Sequence, residues 1–522
     1  MSAKGRTVLA AVVVLSATLG AWLRTTHVET WPLGPWVDEA YALRAARLLP
    51  AEAPLFGTSA LTPPGEGFVN AWTPNLYLHF TNLADLVAGG GIASFRALSV
   101  LPALALLAGL FSLAAEAARG RPFALGTAAA LGASAMWLLT TGRWGWNAVA
   151  TSALVVLATA AAFVAARTAT PGRAAAWAAA SGALAGLGVY GYAAGRLLFV
   201  APALVLTAGL PRREPWGRRR ALVAGIALTV AAAVALPLVV DFGRHPDRAF
   251  AREREISVFR GGVRAAGAAL ARNVADYAAL FFLHGDANER HGDPARPVLP
   301  VAVSGLVLVG TAFGFRRPCV ERAVALPAAL ALLGGLLASE PTGANAYRIS
   351  PSAPFLIVLA GLGADRLLAG LPVVFRRVGA IVLTALVAVS AALDAVAFAR
   401  WAESPRTWGA FGGPERELAD ALSAAQAGGP RRIVLSFRTA SRNAYVVEEL
   451  LAPPGRRSSP VVLFADLSGE RTPLRESILY ADGGELAAIP ALGGHRGGVL
   501  ARGRDPWDRP TFVVYGLGPD PP

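Results

Sequence analysis

Ala97-Leu98-Ser99-Val100-Leu101-Pro102-Ala103-Leu104-Ala105-Leu106-Leu107-Ala108-Gly109-Leu110-Phe111-Ser112-Leu113-Ala114-Ala115 carries no charge and is closed by Glu116, Arg119 and Arg121. A run of about 20 apolar residues matches the helix needed to cross roughly 30 Å of hydrocarbon. Similar runs cover residues 7–23, 122–141, 148–166, 174–191, 197–210, 221–240, 298–315, 323–338, 352–370 and 378–398. The composition agrees, with 54% hydrophobic and 16% charged residues and a mean hydropathy of +0.48, far more apolar than a soluble domain. A transmembrane β-barrel would show short alternating segments instead. The expected class is an all-α polytopic membrane protein with about eleven spans.

The net charge of +14 would point to nucleic acid if it formed one patch, but the arginines fall in short clusters between apolar runs. No nucleic-acid partner is expected. With the N-terminus inside, the positive-inside rule places every cluster in the cytoplasm: Arg119 and Arg121; Arg167 and Arg173; Arg212, Arg213, Arg218, Arg219 and Arg220; Arg316, Arg317 and Arg322; Arg376 and Arg377. Residues 76–90 are also apolar, but the stretch is short and holds His79, Asn82 and Asp85. Counting it as a span would put the five-arginine loop outside, so it reads as an interfacial or partly re-entrant helix. Lys4 and Arg6 before an apolar run to Leu23 fit a signal peptide or an uncleaved first span. Gly20-Ala21-Trp22 makes a poor cleavage site, which favours the span. Cys319 is the single cysteine, so no internal disulfide forms.

After residue 400 the hydropathy falls. Ile433-Val434-Leu435 and Val461-Val462-Leu463-Phe464 read as buried strands and Glu415–Ala425 as a helix, while Ala452–Ser459 reads as loop. Residues 1–400 are expected to form the membrane domain, with a first outer loop at 24–96, and residues 401–522 a small extracytoplasmic α/β domain. No internal repeat is evident, which weighs against a transporter of inverted halves.

This topology collects the unusual polar residues on the outer face. In Pro35-Trp36-Val37-Asp38-Glu39-Ala40-Tyr41, with Arg44 and Arg47 following at helical spacing, Asp38 and Glu39 open a short helix. Two readings stand: the pair caps the helix, or it does acid–base work. Tyr77, His79 and Arg96 belong to the same loop, and helix ends add Arg143, Asn147, Tyr190, Tyr192, Arg196, Tyr347 and Arg348. Single arginines there snorkel to lipid phosphate, whereas several beside a carboxylate pair suit a bound phosphate, which guanidinium grips bidentately. The aromatic residues either belt the membrane or stack on a sugar ring or lipid tail. His284-Gly285-Asp286-Ala287-Asn288-Glu289-Arg290-His291-Gly292-Asp293 mixes imidazole and carboxylate, but its spacing matches no metal signature and no metal or other cofactor is expected. Gly361-Leu362-Gly363 fits close helix packing better than nucleotide binding.

In these residues the chain resembles the GT-C membrane glycosyltransferases, above all the broad group of protein O-mannosyltransferases (glycosyltransferase family 39) and lipid A aminoarabinose transferases. The carriers, over most of residues 1–400, are Asp38-Glu39 after the first span, Pro74-x-Leu76-Tyr77, Phe95-Arg96, Tyr190-Gly191-Tyr192 leading to Arg196, Gly285-Asp286 to His291, and Tyr347-Arg348 before Pro351. Two positions depart from the pattern: Asn147 stands where many relatives are acidic, and Thr73-Pro74-Asn75 replaces a Pro-Pro.

The resemblance implies a GT-C fold and transfer of a hexose or pentose from a polyprenyl-phosphate donor to a hydroxyl of a protein, lipid or polysaccharide, in one inverting displacement. It implies catalytic roles for Asp38, as general base, and Glu39, which would orient the acceptor or the loop. Arg143, Arg196 and Arg348 would bind the donor phosphate, and Tyr77, His79, Arg96, Asn147, Tyr190, Tyr192 and Tyr347 the substrates. Its setting would be a bacterial inner membrane, with the active site on the extracytoplasmic face, in cell-envelope or protein glycosylation. A transporter or flippase of lipid-linked glycans is the rival reading, and it predicts charges along the spans rather than at their outer ends. A non-catalytic scaffold using the C-terminal domain is the second.

Overall fold

The computed structural model describes residues 3–60, 72–209, 216–249, 256–316, 319–339, 343–427, 431–436, 444–452, 462–464, 478–482 and 497–518. Arg212, Arg213, Arg317, Val461 and the stretch 453–459 read above lie outside the described residues.

Every apolar run falls on helix. The first helices are α1 (Ala3–Thr25), α2 (Val37–Leu48), α3 (Asn75–Ala88) and α4 (Gly91–Ala117). Asn147–Arg167, Pro171–Gly188, Trp216–Arg244, Val301–Arg316, Val320–Leu336, Ala353–Gly370 and Val373–Ala402 follow. Among the described residues, six helices are long and apolar enough to cross a membrane, or seven if the bent pair Val301–Arg316 and Val320–Leu336 makes one span. The chain is a multi-pass membrane protein. This count is smaller than the expected eleven because some runs are short or broken. The described residues of the run at 197–210 fall on short pieces, Gly195–Leu198, Ala201–Leu204 and the wider turn Val205–Gly209.

The run at 122–141 divides into Pro122–Ser134 and Met136–Thr141, and two charged side chains take over the backbone groups at the break. Arg24, buried on α1, donates to the carbonyls of Gly132 at 3.2 Å and Ala133 at 3.0 Å. The N–H of Met136 donates to Asp394 Oδ2 at 3.3 Å. Orphan backbone groups inside an apolar bundle need such partners.

The chain forms two compact units. The first holds 1–26, 52–77 and 99–401. Its helices approach closely at small residues: a Cβ on Gly363 would meet the Leu306 carbonyl at 2.1 Å, and one on Gly361 the Ala124 carbonyl at 2.5 Å. Close packing therefore accounts for that Gly-x-Gly. At one end of this unit the basic clusters meet: Arg121 and Arg366 share Glu321 Oε1 at 2.6 and 2.7 Å, Arg167 pairs with Glu116 at 2.9 Å, and Arg219 donates to the Thr168 carbonyl. The opposite end carries the aromatic residues described below.

The second unit holds 27–51, 78–98 and 402–522, so the helix of the acid pair packs with the C-terminal part of the chain. Its sheet has five strands in the order β4-β3-β5-β7-β6, namely β3 (Arg432–Leu435), β4 (Val462–Phe464), β5 (Ile478–Asp482), β6 (Gly497–Arg504) and β7 (Pro510–Leu517). β3 runs parallel to β4 and β5, while β7 is antiparallel to β5 and β6. Ile433, Leu435, Leu479, Ala481, Phe512 and Val514 from the sheet and Leu418, Leu422 and Val447 from helices make its core. A two-stranded hairpin, β1 (Thr58–Ala60) with β2 (Trp72–Pro74), lies in the first unit.

Candidate active site

In the second unit, α2 begins after Trp36, whose backbone is extended. Glu39 is wholly buried, and its carboxylate accepts the Trp36 N–H at 2.7 Å, one half of a capping box. Asp38, one residue earlier, is half-buried. Both carboxylates sit in the first turn, where the helix dipole favours negative charge. The loop leading into α2 is held by Arg96, whose Nη2 donates to the carbonyls of Pro32 at 2.5 Å and Gly34 at 3.0 Å. Gly34 has to be a glycine there, since a Cβ would meet the Phe411 and Gly412 carbonyls at 2.2 and 2.3 Å. His79 on α3 is half-buried, and its Nε2 has no hydrogen-bond partner among the described residues.

In the first unit, four separate segments come together around flat rings. Trp144 stacks on Tyr347 with centroids 4.8 Å apart and planes 14° from parallel. His291 stacks on Tyr347 at 5.7 Å and lies 5.1 Å from Trp144, and Tyr192 meets Tyr347 edge-on at 5.4 Å. His291 Nδ1 is 2.5 Å from Asp286 Oδ2, the oxygen that also accepts the Ala346 N–H at 2.7 Å. That contact ties the 284–293 loop to the segment bearing Tyr347 and fixes the imidazole. Trp137, Thr141 and Arg290 complete the lining of a recess beside Trp144, His291 and Tyr347, and Arg290 lies over the Trp144 ring.

The remaining anticipated residues occupy several settings. Arg143 is buried and its Nη2 donates to the carbonyls of Leu23 and Thr26, both at 2.8 Å, with Phe398 under the guanidinium. Arg196 donates to the Ala249 carbonyl at 2.8 Å and stacks over Phe242. The backbone N–H of Arg348 donates to Asn345 Oδ1 at 3.1 Å. Asn147 donates to the Gly191 carbonyl at 3.3 Å, Tyr190 to the Val234 carbonyl at 2.8 Å, and Tyr77 to the Gly145 carbonyl at 2.7 Å. These bonds hold the ends of their segments, and of the anticipated set Tyr192 and Tyr347 join the ring cluster.

Sequence reasoning passed over Trp137 and Thr141, read Trp144 only as one of the belt or stacking aromatics, and read Asp286, Arg290 and His291 only as part of a loop without a metal signature. Their signal was the imidazole-carboxylate loop and the Trp-Gly-Trp at 144–146, both visible but without a partner until the fold supplies Tyr347. Among the described residues no group of three or more His, Cys, Asp or Glu side chains is placed to hold a metal ion. Chemically, the ring cluster offers apolar faces beside a cation, which suits a sugar ring or an isoprenoid segment. The half-buried carboxylate on α2 offers a proton acceptor.

No protein-family model and no curated protein matches the sequence. Solved structures do. ArnT from Cupriavidus metallidurans in the apo state aligns with a TM-score of 0.57 and 14% identity over 98% of this chain and 98% of that one. The same protein bound to undecaprenyl phosphate aligns at 0.53 and 15%, again over 98% of both chains. The apo oligosaccharyltransferase of Archaeoglobus fulgidus aligns at 0.50 and 15%, over 87% of this chain and 61% of that one. These are membrane glycosyltransferases of the GT-C superfamily, and the likeness shows that the chain has the GT-C fold.

Proposed function

We propose that the protein transfers a sugar from a polyprenyl-phosphate donor to an acceptor hydroxyl at the extracytoplasmic face of a bacterial inner membrane. The observation that supports this most is the shared fold with ArnT over nearly the whole of both chains, including the form bound to undecaprenyl phosphate. Asp38, less buried than its neighbour and standing in the first turn of α2, takes the acceptor hydroxyl proton. The acceptor oxygen attacks the anomeric carbon as the bond to the phosphate oxygen breaks, and the electron pair leaves with the polyprenyl phosphate. Inversion follows from the single displacement. A positioned base contributes about 10²- to 10⁴-fold, and cations beside the leaving phosphate stabilise the charge that develops on it. Arg348, the residue after Tyr347 of the ring cluster, is assigned to that phosphate together with Arg196 and Arg143. Tyr347, Trp144 and His291 provide the stacking surface for the sugar or the first isoprene units.

The test is purified protein in lipid nanodiscs given a panel of labelled polyprenyl-phosphate sugars and acceptor extracts. Label appearing on an acceptor, with polyprenyl phosphate released, supports the proposal and identifies the donor. Movement of intact donor across a sealed bilayer without cleavage would replace it with the flippase reading.

A further inference from the structure

The acid pair lies on a helix of twelve residues, and such a short helix holds its place through what it packs on. Within the second unit, α2 is fastened along one face, Val37, Ala40, Arg44 and Arg47, by α3, by the start of α4 and by residues more than 400 positions away in sequence. Val37, Ala40, Tyr41 and Leu43 share a buried cluster with Ile92, Phe95 and Val446. Arg44 donates to Glu448 Oε2 at 2.8 Å and lies 4.5 Å over the Tyr445 ring, which also meets Tyr41 at 5.2 Å. Arg47 grips Asp85 with two parallel bonds of 2.8 Å, and its third donor nitrogen reaches the Glu449 carboxylate at 2.6 Å and the Glu449 carbonyl at 3.2 Å. Asp85 in turn accepts from Ser94 at 2.6 Å. The helix Ala444–Leu451 thus supplies two adjacent carboxylates to two arginines one turn apart.

We propose that Glu448 and Glu449 are positioning residues for the acid pair: by holding Arg44 and Arg47 they fix the angle and depth of α2, and with it the place of Asp38. Exposed ion pairs contribute little, but Arg47, Asp85 and Glu449 are all buried, where removing one partner strands the others. The anchors at Arg44 and Arg47 act roughly 9 and 14 Å along the axis from Asp38, at 1.5 Å per residue, so they cannot take part in chemistry themselves. Their effect is geometric. A shift of about 1 Å at a reacting group can cost on the order of 100-fold in rate. The C-terminal part of the chain is therefore an integral part of the catalytic apparatus rather than an appended binding module. This inference rests on the assignment of Asp38 as the base.

The experiment uses the full chain in nanodiscs with Glu448→Ala, Glu449→Ala, Arg44→Ala and the pair Arg44→Ala with Glu448→Ala, read in two ways. In steady-state transfer, each single variant is expected to lower kcat by about 10- to 100-fold with the donor KM within about twofold, and the pair to lose no more than the worse single variant, because the two side chains act through each other. In amide hydrogen exchange, the Val37–Ala40 turn is expected to exchange faster in Glu448→Ala and Glu449→Ala while β5 and β7 stay protected. Unchanged kcat in the folded single variants, or fully additive losses in the pair, would overturn the proposal. If wild type transfers no donor of the panel, the proposed reaction fails on its own account and exchange decides: unchanged protection of Val37–Ala40 overturns the positioning role, and selective loss there sustains it.

Discussion

Asp38 and Glu39 are neighbours with different surroundings. Glu39 is 0% exposed and satisfies the Trp36 N–H, whereas Asp38 is only half-buried. Asp38→Asn is therefore expected to leave the unfolding midpoint unchanged and to lower turnover by about 10²- to 10⁴-fold. Glu39→Ala is expected to destabilise by about 0.5–2 kcal/mol, the range for a lost helix cap, and parallel thermal unfolding and transfer assays separate the two. Arg24 offers a second test at this scale. Its loss strands the Gly132 and Ala133 carbonyls, so Arg24→Ala is expected to cost about 1–3 kcal/mol for each unpaired group, read as a lower unfolding midpoint in detergent. The acid pair was legible in the sequence as two carboxylates opening a helix. The division between them was not, because it depends on the Trp36 N–H and on how deeply α2 is packed. Arg24 and Asp394 were illegible for a related reason: their partners are backbone groups freed by a break at Ala135 that no local signal announces.

At the level of elements, apolar run length found the helices, since hydrocarbon thickness dictates that length. Some of these runs are not single continuous helices: the run at 122–141 is broken where side chains satisfy the backbone, and the run after Gly195 winds into short pieces. The apolar stretch after Pro74 is a helix of fourteen residues with Phe80, Leu83, Leu86 and Val87 exposed and Thr81 and Asp85 buried. Large apolar side chains along its exposed face are what a helix that meets lipid presents. Helix contacts give a sharp prediction at Gly363. Its Cβ would overlap the Leu306 carbonyl, so Gly363→Val is expected to cost about 3 kcal/mol or more because backbone cannot yield as a side chain can. Gly225→Ala, with open space around the added Cβ, is expected to be neutral or stabilising. Expression yield and unfolding midpoint compare the two.

The Ala444–Leu451 helix carries a pH signature as well. Burial pushes the Glu449 carboxyl up to about 7 against the pull of Arg47; Arg44, Glu448 and, through Arg47, Asp85 are the other charged groups around it. Between the ordinary value of 4.5 and about 7 the folded chain thus holds a proton that the unfolded chain has released. The stabilising contribution is full below the ordinary value and is lost as pH rises through about 7. Wild type is expected to show a falling unfolding midpoint across that window, and Glu449→Gln a flatter one.

For the molecule as a whole, the GT-C fold followed from the order of weak motifs along the chain, and the alignment with ArnT agrees with it at 14% identity. At that identity the likeness is one of fold, carried by helix length and packing rather than by individual residues. The pairing of α2 with the Ala444–Leu451 helix was beyond sequence reading, since the two glutamates look like ordinary surface charge until Arg44 and Arg47 are brought to them. The account stands or falls on whether a carboxylate at Asp38 drives sugar transfer. The measurement that decides it is the single-turnover rate of polyprenyl phosphate release by Asp38→Asn beside wild type, with equal folding confirmed by unfolding midpoint and equal donor occupancy by binding. A rate lower by at least about 100-fold with donor binding retained is the predicted result; release at the wild-type rate from a folded, donor-loaded Asp38→Asn protein would contradict the account.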